Sequence, residues 1–238
     1  MPADKRTSVP ATGKGEVNAF LAEIESRSPL ATAGRGRLIF ALDATMSRQP
    51  TWDLASALQG EMFAEAGRVG GLDVQLVYFR GLTECRASSW ASDTARLAGL
   101  MGSIDCRGGR TQIGRVLRHA AAESGRGRVS ALVFVGDAME EDLDHLCAEA
   151  GPLAVRGVPT FMFQEGRDPL TERAFREIAR LTGGAWCRFD AGAAAELRAL
   201  LGAVAAYAAG GFKALSDLSS GPGGGGAQRL IAALGRRP

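Results

Sequence analysis

Short apolar runs alternate with amphipathic stretches along most of the chain. The run Leu38–Leu42 ends at Asp43 and is typical of a strand buried on both faces of a parallel sheet. Further strands are predicted at 74–79, 129–135, 158–163 and 186–189, where β-branched and aromatic residues are frequent. Apolar residues recur at helical spacing in other segments, which predicts helices at 15–24, 52–68, 94–101, 113–122, 141–155, 170–181 and 193–207.

This order of elements predicts the fold class. Helices of this length between strands indicate βαβ units, and hence a Rossmann-like, doubly wound α/β fold with a mostly parallel central sheet and helices on both faces. Gly183-Gly184 is expected to end the helix before the last strand, because glycine is favoured just past a helix C-terminus. Ligands of such sheets bind outside the carboxyl ends of the strands, where the strand order reverses. Functional residues are therefore expected at strand ends.

Three segments are predicted along the chain. Residues 1–36 form an N-terminal tail and helix, residues 37–210 form one α/β domain, and residues 211–238 form a C-terminal tail. The tail contains Ser-Ser-Gly-Pro-Gly-Gly-Gly-Gly after Leu218, a composition typical of a flexible linker. It ends in a short basic amphipathic segment that begins at Gln228.

The composition of the chain limits which compartment and which classes of partner we expect. A chain of 238 residues suits one domain, and its net charge of +2 is too small to indicate nucleic acid or an anionic membrane. The four cysteines form no C-x-x-C pair, which indicates reduced packing thiols rather than a zinc site. The first residues lack the apolar core of a secretory signal, and the most apolar helical run, 197–209, is too short to span a membrane. We therefore expect a cytoplasmic protein with no membrane span.

Polar side chains follow two of the predicted strands, at the point where each strand ends. The first strand delivers Asp43 and then Thr45 and Ser47 on alternate positions, while the strand at 129–135 delivers Asp137. Thr111 follows a Gly-Gly-Arg turn and precedes a predicted helix. Loops at the carboxyl ends of neighbouring parallel strands meet at one edge of a sheet. Two carboxylates and three hydroxyls are therefore expected to converge there.

These side chains are all hard oxygen donors, with no histidine or thiolate among them. Such a donor set suits Mg²⁺ or Mn²⁺. Two carboxylates balance the charge of a divalent ion, and neutral hydroxyls leave it able to take one more carboxylate from a partner. An alternative interpretation is that Asp43 and Asp137 only cap turns, while the hydroxyls bind loop backbone. The acidic run 137–142 is interpreted mainly as a solvated first turn of the next helix.

The same residues resemble the metal-ion-dependent adhesion site (MIDAS) of the von Willebrand factor A (VWA) family, over about residues 37–207. The family pattern is D-x-S-x-S on a first loop, a threonine on a second and an aspartate on a third; Gly-Gly-Arg-Thr-Gln-Ile-Gly also resembles the family's second turn. The resemblance implies that Thr45, Ser47 and Thr111 bind the metal directly. It also implies that Asp43 and Asp137 bind it directly or through water. The chain departs from the pattern at Thr45, which keeps the hydroxyl, and at Arg110, which could crowd the ion or attract an acidic partner.

Three functions are compatible with these residues. The first is a non-enzymatic protein-binding module that captures an acidic residue of another protein; the resemblance to intracellular bacterial members suggests a chaperone or ATPase complex as partner. The second is a metal-independent VWA scaffold, which Arg110 favours. The third, a Mg²⁺-dependent phosphotransferase of the haloacid-dehalogenase type, needs an aspartate where Thr45 stands and a lysine, and no lysine lies between Lys14 and Lys213. No nucleotide-binding glycine motif follows the first strand.

Overall fold

A six-stranded sheet with the strand order β3-β2-β1-β4-β5-β6 forms the centre of the protein. The structure is a computed structural model that describes residues 35–48, 72–189 and 194–235. The strands are β1 (Gly36–Asp43), β2 (Leu72–Arg80), β3 (Glu84–Ala87), β4 (Ala131–Gly136), β5 (Thr160–Glu165) and β6 (Trp186–Phe189). All neighbours are parallel except β2 and β3, which are antiparallel. The predicted α/β fold class is thus confirmed.

Helices cover both faces of this sheet. They are α1 (Thr94–Gly102), α2 (Ile113–Arg126), α3 (Leu143–Val155), α4 (Pro169–Thr182), α5 (Ala194–Ser219) and α6 (Gly225–Gly235), with a short 3₁₀ turn at Met46–Arg48. The helices predicted at 15–24 and 52–68 lie outside the described residues. Gly183 ends α4 in the left-handed conformation, with φ of 72°, as the glycine pair predicted.

The strand β3 was not predicted from the sequence. It contains only Glu84-Cys-Arg-Ala87, so it has no apolar run, and it lies at an edge of the sheet. A turn at Gly81, with φ of +61°, brings it back antiparallel to β2. Backbone pairing after a tight turn therefore creates this strand, while its side chains give little sign of it.

Two apolar cores lie on opposite faces of the sheet, and β1 contributes to both. Leu38, Phe40 and Leu42 pack in one core with residues of α1, α5 and α6. Ile39 and Ala41 pack in the other core with residues of α2, α3 and α4. Because alternate residues of a strand point to opposite faces, a continuous apolar run is what a strand in this central position requires.

The C-terminal segment differs from the predicted flexible tail, because residues 211–219 and 225–235 lie in helices that a short turn at 220–224 joins. The helix α5 continues through a break at Gly211 to Ser219, and α6 then packs back against it. Leu230 and Leu234 on α6 are buried, as is Gly226. The glycine-rich composition suggested flexibility, but a Cβ at Gly226 would lie 2.3 Å from the main-chain oxygen of Ala199 on α5. The missing side chain therefore permits close helix packing here.

One helix in the described part of the chain, Ala195–Ser219, is long and apolar enough to cross a membrane by length and composition. The sequence analysis placed this helix at 193–207 and took the run 197–209 as too short to span a membrane, whereas the helix in the structure is longer. In the fold, 61% of the most apolar part of this helix is buried. Core helices of soluble proteins pass the same test, and the contacts of α5 with β1 favour such a core role.

Gly226→Ala should destabilise the protein, because the added methyl group would overlap the main chain of α5. We expect the free energy of unfolding to fall by about 1–3 kcal/mol, the usual cost of overpacking. Gly225→Ala is the matched control, since a Cβ there meets nothing within 4 Å. Urea denaturation of both variants measures the difference. Equal stabilities for the two variants would show that α6 does not pack against α5.

Candidate metal centre

The carboxyl ends of β1 and β4 lie side by side at the point where the strand order reverses. Asp43 is the last residue of β1 and has no exposed surface. Gly136 is the last residue of β4, and a Cβ at this position would lie 3.5 Å from the Cβ of Asp43. Asp137 follows directly. The fold therefore brings the two predicted aspartates to one end of the sheet, from two different strands.

The loop after β1 gathers the first three predicted ligands. The Thr45 N–H donates a 2.8 Å hydrogen bond to Oδ1 of Asp43, and the hydroxyl oxygens of Thr45 and Ser47 lie 3.1 Å apart. Thr45 is buried whereas Ser47 is exposed. Part of the turn-capping interpretation is thus correct for Asp43. Among the contacts of the described residues, the hydroxyls of Thr45 and Ser47 bind each other rather than the main chain.

A second loop runs beside this one and carries Thr111. The Arg107 N–H donates to the Ala44 carbonyl at 3.1 Å, and residues 45 and 107 form an isolated parallel bridge. Gly109 packs against Gly81. A Cβ at position 109 would lie 2.0 Å from the carbonyl oxygen of Gly81, so only glycine fits there. These contacts fix the loop next to Thr45 and leave Thr111 buried at the start of α2.

The loop after β4 contacts Thr111 through Glu140. The Thr111 N–H donates to Oε2 of Glu140 at 3.0 Å, and the Glu140 N–H donates to the Thr111 hydroxyl at 3.0 Å. This pair of bonds joins the second and third predicted loops. One lone pair of the Thr111 hydroxyl is already used, so any metal contact by Thr111 would have to share this oxygen with Glu140.

Glu141 caps the N-terminus of α2 from outside that helix. Its carboxylate accepts hydrogen bonds from the N–H groups of Ile113 at 2.6 Å and Gly114 at 2.9 Å. The acidic run was expected to be a solvated first turn of the next helix, but that helix begins only at Leu143. Glu140 is exposed, as expected, whereas Glu141 is partly buried and caps α2. A signal was available in the sequence, because the residue before α2 is Gln112, and glutamine is not among the favoured N-cap residues. In the structure its side chain makes no cap hydrogen bond. The free N–H groups of that helix need an acceptor from another part of the chain.

Asp137 is a predicted ligand with a buried carboxylate oxygen that no described residue satisfies. Its Oδ1 atom is buried and accepts no hydrogen bond from the residues that the structure describes. Buried carboxylate oxygens are normally satisfied, so this atom is suited to a ligand. The described residues contain no group of three or more His, Cys, Asp or Glu side chains that could hold a metal. A cation here would therefore depend on hydroxyls as well as carboxylates, as the predicted donor set does.

The rim of these loops carries both charged and exposed apolar side chains. Asp105 accepts hydrogen bonds from the side chains of Arg107 and Arg80. Both bonds hold the pKa of the Asp105 carboxyl below its usual range, and the bond from Arg107 has the larger effect. Arg110 is exposed and forms no ion pair with a described residue. Met46 and Leu82 are exposed apolar side chains, at 55% and 72% of their surface. The rim can therefore offer a positive charge and apolar contacts to another molecule.

Comparison with known proteins agrees with this architecture. No protein-family model matches the chain, and a search among curated proteins found no match. Among solved structures, the VWA domain of SpRpn10 superposes with a TM-score of 0.55 at 11% identity, over 67% of this chain and 90% of that chain. The vWF domain of the type V pili tip protein Mfa5 from Porphyromonas gingivalis superposes with a TM-score of 0.58 at 9% identity, over 72% and 94% of the two chains.

A third similar structure is proximal thread matrix protein 1 from the mussel byssus, with a zinc-occupied MIDAS motif. It superposes with a TM-score of 0.56 at 16% identity, and this chain covers 46% of that protein, about half its length. The protein therefore has the fold of a VWA domain. At these identities the likeness concerns the fold, and the metal site rests on this chain's own residues.

Glu141→Ala should lower the free energy of unfolding by about 1–3 kcal/mol, because two buried N–H groups at the start of α2 would lose a charged acceptor. Asp217→Ala is the control. It removes a carboxylate that pairs with Lys213 at 3.0 Å on the exposed surface of α5, and such pairs contribute about 0–1 kcal/mol. Urea denaturation compares the two. A loss no larger for Glu141→Ala than for the control would contradict its role as the cap of α2.

Proposed function

We propose that this protein is a VWA-type, non-enzymatic interaction module that holds a divalent cation, Mg²⁺ or Mn²⁺, and captures an acidic side chain of another protein. The observation that carries the proposal is the buried Oδ1 of Asp137, beside the buried Asp43, at the reversal point of the sheet. Thr45, Ser47 and Thr111 are the proposed hydroxyl ligands. Asp43 and Asp137 supply the charge, directly or through water.

The residues around the site suit the capture of a carboxylate. When bound, a divalent cation supplies an electrophilic centre that an external carboxylate can ligate. Arg110, exposed on the adjacent loop, attracts the same negative charge, and Met46 and Leu82 provide apolar surface near it. Ser47 is the exposed member of the hydroxyl pair. An incoming side chain would therefore approach from the side of Ser47 rather than of the buried Thr45.

We also propose a compartment, which the thiols support, and a class of partner, which the resemblance to intracellular VWA proteins suggests. All four cysteines are free thiols, and burial raises the pKa of Cys187 to about 11, so that this thiol stays protonated at neutral pH. Free thiols are typical of a reducing compartment, which supports the proposal of a cytoplasmic protein. A chaperone or ATPase complex is the partner class that we propose.

A second candidate function is a VWA scaffold that binds its partner without metal. The reciprocal hydrogen bonds between Thr111 and Glu140 favour it, because they already engage one of the proposed ligands. In this alternative, Asp43 serves to shape its own loop through the 2.8 Å bond from the Thr45 N–H. The two candidates differ in whether Mg²⁺ or Mn²⁺ stabilises the fold.

Titration with MgCl₂ and MnCl₂ should release or absorb heat and raise the melting temperature of the wild type. A cation at ten times its Kd should raise Tm by about 3–6 °C. Asp43→Asn and Asp137→Asn keep the side-chain size but remove a charge, so both should abolish the shift. Asp217→Asn, on the exposed surface of α5, should leave it unchanged. No heat and no shift in the wild type would support the metal-independent scaffold instead.

Partner capture should depend on the cation if the proposed mode is correct. In pull-downs from lysate, we expect a set of proteins retained by the wild type in Mg²⁺ and lost in EDTA or with Asp43→Asn. Asp217→Asn is again the charge-matched control and should retain the full set. Partners held equally by every variant, with or without EDTA, would rule out capture through a metal. Mass spectrometry of the bound fractions gives the measurement.

A further inference from the structure

A groove lies along β6, at the edge of the sheet opposite β3. Its volume is about 950 Å³, and it is lined by residues 184–189 together with parts of α3, α4 and α6. The strand β6 lies two positions beyond β4 in the sheet, about 10 Å away at the usual strand spacing. None of the five predicted metal ligands lines the groove.

The open side of β6 faces this groove. Within the described residues β6 pairs with β5 alone, and the carbonyls of Ala185 and Phe189 accept hydrogen bonds from the β5 side at 2.9 and 3.2 Å. Alternate residues of a strand direct their main-chain groups to opposite sides. The N–H and C=O groups of Trp186 and Arg188 therefore face away from β5. The Arg188 carbonyl confirms this direction, since it accepts a hydrogen bond from the Arg229 guanidinium on α6.

The groove carries an excess of positive charge. Six arginines line it, against three carboxylates: Arg167, Arg173, Arg176, Arg180, Arg188 and Arg229. Four of them pair with nearby glutamates. Arg176 and Arg188 share Glu172. Arg180 pairs with Glu177, and Arg229 pairs with Glu196. Arg167 and Arg173 are exposed and form no ion pair with any described residue. These two guanidinium groups are available to an incoming anion.

We propose that this groove, defined by β6 and its arginines, binds an extended acidic segment of a partner protein as an added strand. The main-chain groups of Trp186 and the N–H of Arg188 would pair with the segment, as in other cases of β-strand addition. Its carboxylates would bind Arg167 and Arg173. Because β6 is only four residues long, it offers few main-chain bonds, and charge supplies much of the affinity.

The aromatic groups of the groove favour a peptide over a single-stranded nucleic acid. Nucleic-acid grooves stack bases on exposed aromatic faces. Here the Arg176 guanidinium lies 3.7 Å from the centroid of the Trp186 ring and covers one face. The other aromatic residue in the lining, Phe189, is buried. The groove thus offers guanidinium groups and strand main chain, which suit carboxylates on an extended chain.

Fluorescence anisotropy with the full-length protein tests this proposal. The probe is a short labelled peptide that alternates glutamate and valine, at low salt and in EDTA. We expect binding that weakens as salt is raised and is reduced about tenfold by Arg167→Glu with Arg173→Glu, the effect expected from two charge-assisted contacts. The matched control is Arg86→Glu with Arg96→Glu, which reverses two exposed charges on β3 and α1 and should bind like the wild type. Asp43→Asn should also bind normally, which separates this proposal from that of the metal centre.

Two further probes and one exchange measurement test the strand geometry. A lysine–valine peptide should not bind, and an acidic peptide with proline at alternate positions should bind at least about tenfold more weakly, because proline removes the main-chain donors. Hydrogen exchange at the Trp186 and Arg188 amides should slow when the glutamate–valine peptide is added. The proposal is overturned if no binding occurs, or if the proline peptide or an oligothymidylate binds as tightly. It is also overturned if these two amides are already protected in the free protein, since the chain itself would then cover the edge.

Discussion

The position of β1 between β2 and β4 is the constraint on which the rest of the structure depends. Its side chains enter both apolar cores, so helices are required on both faces of the sheet. The same position puts the carboxyl end of the strand inside the fold, where Asp43 is fully buried. A buried carboxylate is costly unless polar groups or a cation stabilise it. Polar groups must therefore lie close to the Asp43 carboxylate, and the Thr45 N–H is one of them.

The loops at this end of the sheet are held by contacts between different parts of the chain. The helix α2 has no side-chain cap of its own, and Glu141 from the loop after β4 accepts the hydrogen bonds of its first N–H groups. Glu140, one residue earlier, binds Thr111 through both main chain and side chain. A shift of the loop that carries Asp137 would consequently be transmitted to Thr111. The proposed ligands are in this way linked to one another without a metal.

Two regions suited to partners lie at different places in the sheet and rest on different chemistry. The centre of the sheet offers buried oxygen atoms at the reversal point, which suit a cation and a single carboxylate. The β6 edge offers main-chain groups and guanidiniums along a groove, which suit an extended acidic segment. The partners proposed for both regions are negatively charged proteins, although the net charge of the whole chain is only +2. The local arrangement of charge, rather than its total, decides which partner is favoured.

The sequence by itself determined the α/β fold class and five of the six strands, because burial on both faces demands continuous apolar runs such as Leu38–Leu42 and the edge strand β6 keeps aromatic residues. It also located Asp43, Thr45 and Ser47 at a strand end, since these residues are adjacent in the chain. The tertiary structure alone decided the rest. The strand β3 arises from backbone pairing, α6 packs on α5 because Gly226 lacks a side chain, and Glu141 caps a helix that begins 28 residues before it. Such contacts join distant parts of the chain through main-chain groups, which leave little trace in the pattern of apolar and polar residues.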